Sequence, residues 1–180
     1  MALDLANLGS APLVPFSGQG WRHISPSHEP LSGEGARIHG GRFNPPSSFP
    51  VLYICLSRPC VVAELKRLGT RQAIGVEGLL PRVLYRYEID LERVLDLTDE
   101  TVRNGISLSF DVLTGPDLTV CQELGSAVHA LGAQGIISPS ATGVGEIFSV
   151  FVQRIGLGLV QPHFIEEWRL PSDFDSQNGS

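Results

Sequence analysis

The chain runs to 180 residues, 42% of them hydrophobic and 18% charged, which fits one globular domain with a core of its own. A formal net charge of −6 excludes a broad basic surface for nucleic acid and leaves room for one local cationic pocket. No apolar run approaches the roughly 18 residues that a membrane span needs, and the first residues lack the basic and apolar regions of a signal peptide.

Residues 1–18 mix small, polar and proline residues without a period and read as an N-terminal extension. A single domain is expected over 19–170, with 171–180 (PSDFDSQNGS) as a flexible tail. Trp21–Ile24 is a short strand candidate. Gly35–Phe43 is glycine-rich, with polar and apolar residues interleaved, and reads as an extended segment near a ligand. Val51–Leu56 (VLYICL) is apolar and β-prone, a buried strand. Ser57 can cap a helix that starts near Arg58-Pro59 and runs to about Leu68, with Gly69 as its stop. Arg82–Asp90 alternates as an amphipathic strand. Leu118–Ala133 has helical spacing, with Leu118, Cys121, Leu124, Val128 and Leu131 on one side. Gly135–Ser138 and Ile147–Ile155 complete the expected strands. Strands outnumber helices and do not alternate as βαβ units, so the class is α+β, with mixed or antiparallel sheets and flanking helices. Cys55, Cys60 and Cys121 form no CxxC motif and read as buried free thiols, which suggests a reduced, cytoplasmic compartment.

Chemistry concentrates in residues 31–57, LSGEGARIHGGRFNPPSSFPVLYICLS, which hold Gly33, Gly35, Gly40 and Gly41 with Arg37, His39, Arg42 and Asn44. Glycine lets backbone approach a ligand, and the arginine fork matches phosphate oxygens, so the segment can cradle a pyrophosphate. It carries neither a P-loop nor a GxGxxG fingerprint. A turn-rich connection with solvated arginines is the other reading. Glu64 lies on a helix whose positions 61, 64, 65 and 68 share one face, three of them apolar. A carboxylate there is either paired with an arginine from the glycine-rich loop or aimed into a cleft. After the strand GIIS, the loop PSATGVGE offers Ser140 or Thr142 to a polar ligand group, or is simply a turn, and no GxSxG elbow surrounds Ser140. The histidines at 23, 28, 39, 129 and 163 have no metal-ligand spacing, and His39 alone sits in the glycine-rich cluster.

Taken in order, these pieces resemble the RES-domain family, named for an arginine, a glutamate and a serine. The match runs from Trp21-Arg22 through SGEGAR and GGRFN, the tyrosine of VLYICLS, the helix around Glu64 and the CQ.LG start at Cys121–Gly125 to Gly135–Ala141 and on to about Arg154. The LSGEGAR…GGRFNPP segment looks most like the branch that includes NAD⁺ phosphorylases, with Phe43 where many members have tryptophan. The resemblance implies a fold similar to ADP-ribosyltransferases and the toxin half of a toxin–antitoxin pair that cleaves the nicotinamide–ribose bond of NAD⁺. It implies that Arg22, Arg42, Tyr53 and Glu64 are catalytic: the arginines on the pyrophosphate, Tyr53 stacked on nicotinamide or bonded near the ribose, and Glu64 facing the cation that develops on the ribose. Ser140 and His39 join these four as NAD⁺-binding residues, and no metal is implied. The expected acceptor is phosphate, water or a host protein side chain. The alternatives are a mono-ADP-ribosyltransferase and a catalytically silent nucleotide- or antitoxin-binding module. The expected partner is a helix-turn-helix type antitoxin that occludes the site, with no direct nucleic acid or membrane contact.

Overall fold

The computed structural model describes residues 4–175. In chain order the elements are α1 (Leu5–Leu8), β1 (Leu13–Ile24), α2 (Glu34–His39), β2 (Val51–Cys55), α3 (Arg58–Arg71), β3 (Arg82–Asp96), α4 (Glu100–Gly105), α5 (Phe110–Thr114), α6 (Thr119–Ala130), β4 (Gly135–Pro139), β5 (Glu146–Phe151), β6 (Val160–Trp168) and α7 (Ser172–Asp175). Short 3-10 turns cover Glu77–Leu79 and Val152–Arg154.

The long alternating run of β3 organises the sheet. One edge pairs antiparallel with β1, from Ile24 opposite Val83 to Leu13 opposite Leu95. The other edge is shared: β6 takes the first half, and β4 pairs in parallel with Val94–Asp96. Antiparallel β2–β5–β4 is joined to β1 where Trp21 stands opposite Cys55. The order β1-β2-β5-β4-β3 therefore closes back on β1, with β6 outside the ring. The α+β class holds, with a mixed sheet and flanking helices in one domain.

Strand alternation divides the side chains of β2 between two faces. Leu52 and Ile54 are fully buried in the interior cluster with Tyr87, Ile89, Phe148 and Val150. Val51 and Tyr53 face the other way, toward a second cluster built on Leu124 and Val128 of α6. Cys55 joins a third cluster with Cys60, Val61 and Leu65 of α3. The β2–β5–β4 layer is thus covered by the two long helices, and the cavity described below opens on that same face.

Several boundaries differ from the sequence reading. β1 starts at Leu13 rather than Trp21, because residues 13–20 pair with β3 and gain their order from that partner. Gly35–Phe43 is not extended: residues 34–39 form α2, and the chain turns at Gly40. Gly69 does not stop α3, which continues to Arg71. A Cβ at Gly69 would lie 2.6 Å from the Gly75 carbonyl carbon, so this glycine serves close packing instead of termination. The last strand before Ile155 ends at Phe151 in a 3-10 turn. Of the expected tail, Ser172–Asp175 form α7 and Phe174 is buried against Trp168 with ring centroids 5.3 Å apart. Residues 176–180 lie outside the described residues.

Candidate active site

A cavity of about 760 Å³ lies between α2, α3, the start of α6 and the strands beneath them. Its floor follows strand alternation: Val51, Tyr53 and Cys55 from β2, Ile147 and Ser149 from β5, and Ser138 from β4. The charge of its lining is distinctive. Arg22, Arg42, Arg67, Arg71 and Arg82 face one carboxylate, Glu64. A protein of net charge −6 has gathered five of its 13 basic residues around one hole, the local cationic pocket that composition left room for.

Glu64 is placed by α3. Ser57 caps that helix by accepting the Cys60 N–H, and Pro59 sits in its first turn. Val61 and Leu65 are buried, which turns Glu64 and Leu68 toward the cavity. One carboxylate oxygen of Glu64 accepts a 2.7 Å hydrogen bond from the Ser140 hydroxyl. The other lies 3.7 Å from an Arg67 guanidinium nitrogen, one helical turn on. The pairing arginine therefore comes from the same helix and not from the glycine-rich loop. Ser140 itself is 2% exposed and does not line the cavity. Its oxygen lies 2.6 Å from the Thr142 hydroxyl and accepts the Thr142 N–H at 3.0 Å. The turn PSAT thus holds the serine, and the serine holds the carboxylate.

The glycine-rich segment is locked to β2. The Tyr53 hydroxyl donates to Asn44 Oδ1 at 2.7 Å and accepts the Phe43 N–H at 2.9 Å. Asn44, fully buried, donates to the Ala36 carbonyl at 2.7 Å. Burial pushes the Tyr53 phenol above its ordinary range, against the opposing pull of the Phe43 N–H and Arg42, so it stays protonated. Tyr53 is expected near the ribose; its ring does line the cavity, but its proton is committed to Asn44. Gly41 lies so flat on that ring that any Cβ would collide with the Tyr53 hydroxyl. Here glycine brings backbone close to a tyrosine. Gln122 of α6 completes the clamp by donating to the Gly41 carbonyl at 2.9 Å.

The other expected residues fall in one place. Arg42 lines the cavity and gives one hydrogen bond to the Gly115 carbonyl at 3.0 Å. Arg22 lines it too, with long contacts to the carbonyls of Pro30 (3.3 Å) and Ser32 (3.4 Å). His39 ends α2 at the rim, exposed. The structure therefore brings Arg22, His39, Arg42, Tyr53 and Glu64 to one cavity, with Ser140 directly behind Glu64.

Four lining residues were not singled out from sequence. Arg67 follows Glu64 at i+3, a spacing legible on the expected helix, whereas Arg71 at i+7 lies beyond the expected stop at Gly69. His23 and Arg82 were not legible, since the pairing of β1 with the start of β3 brings them to Arg22. His23 has a buried, unpartnered Nδ1, and burial, then Arg82 and Arg22, push its pKa down to about 3. Burial, then Arg22, also lowers the pKa of Arg82. Ser149, opposite Tyr53 in the β2–β5 ladder, likewise has a buried hydroxyl without a partner.

This arrangement is that of one carboxylate set among five arginines, and the sequence matches a known family. The RES domain family model matches residues 19–173, and the chain belongs to that family. It is 34% identical over 150 residues to the NAD(+) phosphorylase MbcT of Mycobacterium tuberculosis, covering 82% of this chain and 81% of that protein. The same figures hold for the NAD(+) phosphorylase MbcT of Mycobacterium bovis. Among solved structures, that of the M. tuberculosis MbcT–MbcA toxin–antitoxin complex is similar, with a TM-score of 0.80 and 30% identity over 96% of this chain and 94% of that one.

Proposed function

We propose that the protein is the toxin of a toxin–antitoxin pair and consumes NAD⁺ by transferring its ADP-ribosyl group to inorganic phosphate. The observation that carries this reading is Glu64: a carboxylate anchored by Ser140 in a cavity that five arginines also line. The family membership and the 34% identity to NAD(+) phosphorylases support it. We also read the fold as similar to that of ADP-ribosyltransferases.

In this reading Arg22 and Arg42 hold the pyrophosphate. Each spends part of its fork on backbone carbonyls and keeps donors for phosphate oxygens. As the C1″–N bond lengthens, nicotinamide takes the electron pair and positive charge grows on the ribose. Glu64 faces that charge. A carboxylate already oriented in a partly desolvated site contributes roughly 3 kcal/mol of transition-state stabilisation. Ser140 acts through Glu64, fixing its rotamer. Tyr53 supports the reaction as the floor and clamp of the loop that carries Arg42, and its exposed ring face is where nicotinamide stacks. His39 closes the rim.

NAD⁺ consumption harms the host, so a partner must restrain it. We infer an antitoxin of helix-turn-helix type that covers the cavity between α2 and α3, and a cytoplasmic location, where the substrate is. The test is to incubate the pure protein with NAD⁺, with and without phosphate and with cell lysate, and to identify products by mass. Phosphate-dependent ADP-ribose 1″-phosphate is expected. ADP-ribose alone, or ADP-ribosylated protein, would move the acceptor to water or a side chain, and intact NAD⁺ under all conditions would overturn the reading.

A further inference from the structure

The lining of the cavity carries more positive charge than the donor substrate needs. Two guanidiniums, Arg22 and Arg42, match the two pyrophosphate charges, and Arg67 faces Glu64 at 3.7 Å. Arg71 and Arg82 are left, the complement of one further dianion. Arg82 is the unusual one. Among the described residues it forms no ion pair and no side-chain hydrogen bond, and its Nε is buried without a partner. Beside it, the Nδ1 of His23 is also buried and unpartnered. Buried polar groups are nearly always satisfied. Two orphaned donors or acceptors next to a second guanidinium, Arg22, mark a place where the resting protein lacks a counter-ion.

We propose that Arg82, with His23 beside it, seats the acceptor of the transfer reaction, an inorganic phosphate dianion. This rests on the function proposed above and adds the site that selects phosphate over water. Two features support it. Arg82 opens β3 opposite Trp168 of β6, and the next residue, Val83, is held on both sides by Ile24 of β1 and Glu167 of β6, which fixes the backbone there. Along α3, Glu64, Arg67 and Arg71 at i, i+3 and i+7 extend one face from the carboxylate to the surplus charge, all in the same cavity. A phosphate held there lies in the cavity that Glu64 enters. In the step itself, the C1″–N bond breaks and its electron pair leaves on nicotinamide, which becomes neutral. An oxygen of HPO₄²⁻ supplies the pair for the new C1″–O bond, and the phosphoryl group keeps its proton.

The experiment is steady-state kinetics on the full-length protein with NAD⁺ and inorganic phosphate varied independently, for wild type, Arg82→Gln and Arg82→Lys. Arg82→Gln is expected to raise KM for phosphate about tenfold or more while KM for NAD⁺ stays within about twofold. The share of ADP-ribose among the products should rise as phosphate capture fails. Arg82→Lys, which keeps the charge and loses the fork, should fall between. An unchanged KM for phosphate, or a parallel rise in both KM values, would overturn the proposal. Calorimetric titration with inorganic phosphate alone provides the arm that does not need turnover. Should wild type leave NAD⁺ intact at every phosphate concentration, the proposed function fails. Titration then decides the site by itself: binding weakened in Arg82→Gln upholds it, equal binding defeats it. If Arg82→Gln does not fold, Arg82→Lys carries the same comparison.

Discussion

On the α6 side of the cavity the polar groups, the Ser149 hydroxyl excepted, are spent on the protein itself. Tyr53 gives its proton to Asn44, Asn44 caps the Ala36 carbonyl, Gln122 reaches the Gly41 carbonyl and Arg42 reaches that of Gly115. On the α3 side the opposite holds: Arg82 Nε and His23 Nδ1 are buried with no partner. Satisfied groups stabilise a fold, whereas orphaned ones cost it free energy and persist where a ligand completes them. The contrast separates the wall that shapes the cavity from the wall that waits for an anion, although both contain arginine and both line the same hole. Glu64 stands between them, with one oxygen satisfied by Ser140 and the other only loosely paired with Arg67.

That intermediate position makes Glu64→Gln the sharpest test and the largest expected effect. The amide keeps the size and most of the hydrogen bonding but loses the charge. Turnover should fall about 100-fold, from the loss of roughly 3 kcal/mol of transition-state stabilisation, with KM for NAD⁺ changing much less. Melting temperature measured on the same preparation should move little, because the carboxylate is 22% exposed and its ion pair is long. Early melting with normal turnover would make Glu64 a structural residue. Ser140→Ala should reduce kcat about tenfold by freeing the carboxylate rotamer.

The clamp should respond in stability before chemistry. Asn44→Ala leaves the Tyr53 hydroxyl proton without an acceptor in a buried place and takes one of two donors from the Ala36 carbonyl, which keeps the Gly40 N–H. About 3 kcal/mol should be lost, or roughly 6–12 °C in melting temperature for a domain of this size. Tyr53→Phe should cost less, near 1 kcal/mol. A Tyr53→Phe protein that melts normally but no longer consumes NAD⁺ would move the hydroxyl from the clamp to the substrate. Arg42→Lys comes next: lysine cannot hold the Gly115 carbonyl and a phosphate together, so KM for NAD⁺ should rise about tenfold. An unchanged KM would remove Arg42 from the pyrophosphate.

Much of this was legible in sequence because it is local. The cap at Ser57, the face shared by Glu64 and Leu68, and the alternation of β2 follow from spacing alone, and each was found. What failed depends on partners distant in the chain. Residues 13–20 look irregular until β3 lies beside them, and Gly69 looks like a helix stop until Gly75 packs on it. α2 is not apparent in sequence because four glycines in GEGARIHGG outweigh its single hydrogen-bonded turn and a half. The site shows the same division. Arg42 and Glu64 announce themselves within motifs, whereas His23 and Arg82, 59 positions apart by their numbers, meet only through the β1–β3 ladder.

The smallest expected effect tests the unsatisfied wall without any substrate. His23 has a pKa of about 3 in the folded protein, because burial, then Arg82 and Arg22, disfavour its charged form. In the unfolded chain it returns to an ordinary value near 6.5. Between those two values the unfolded state binds more protons, so stability rises with pH across that window and is independent of His23 above it. On acidification from neutral to about pH 6 the protein should lose roughly 1 kcal/mol from this residue, and more with each further unit. His129, also held below its usual value by burial and then Arg154, adds in the same direction. Denaturant titrations at several pH values, in a buffer free of phosphate, would measure the slope. His23→Gln should flatten it in part and leave the His129 share. Adding phosphate to wild type should raise stability more at pH 8 than at pH 6, because the dianion that the arginines complement is the minor phosphate species at pH 6. Equal slopes in wild type and His23→Gln would show that this histidine is not held neutral between the arginines, and the α3 side would lose its claim to be an unsatisfied wall.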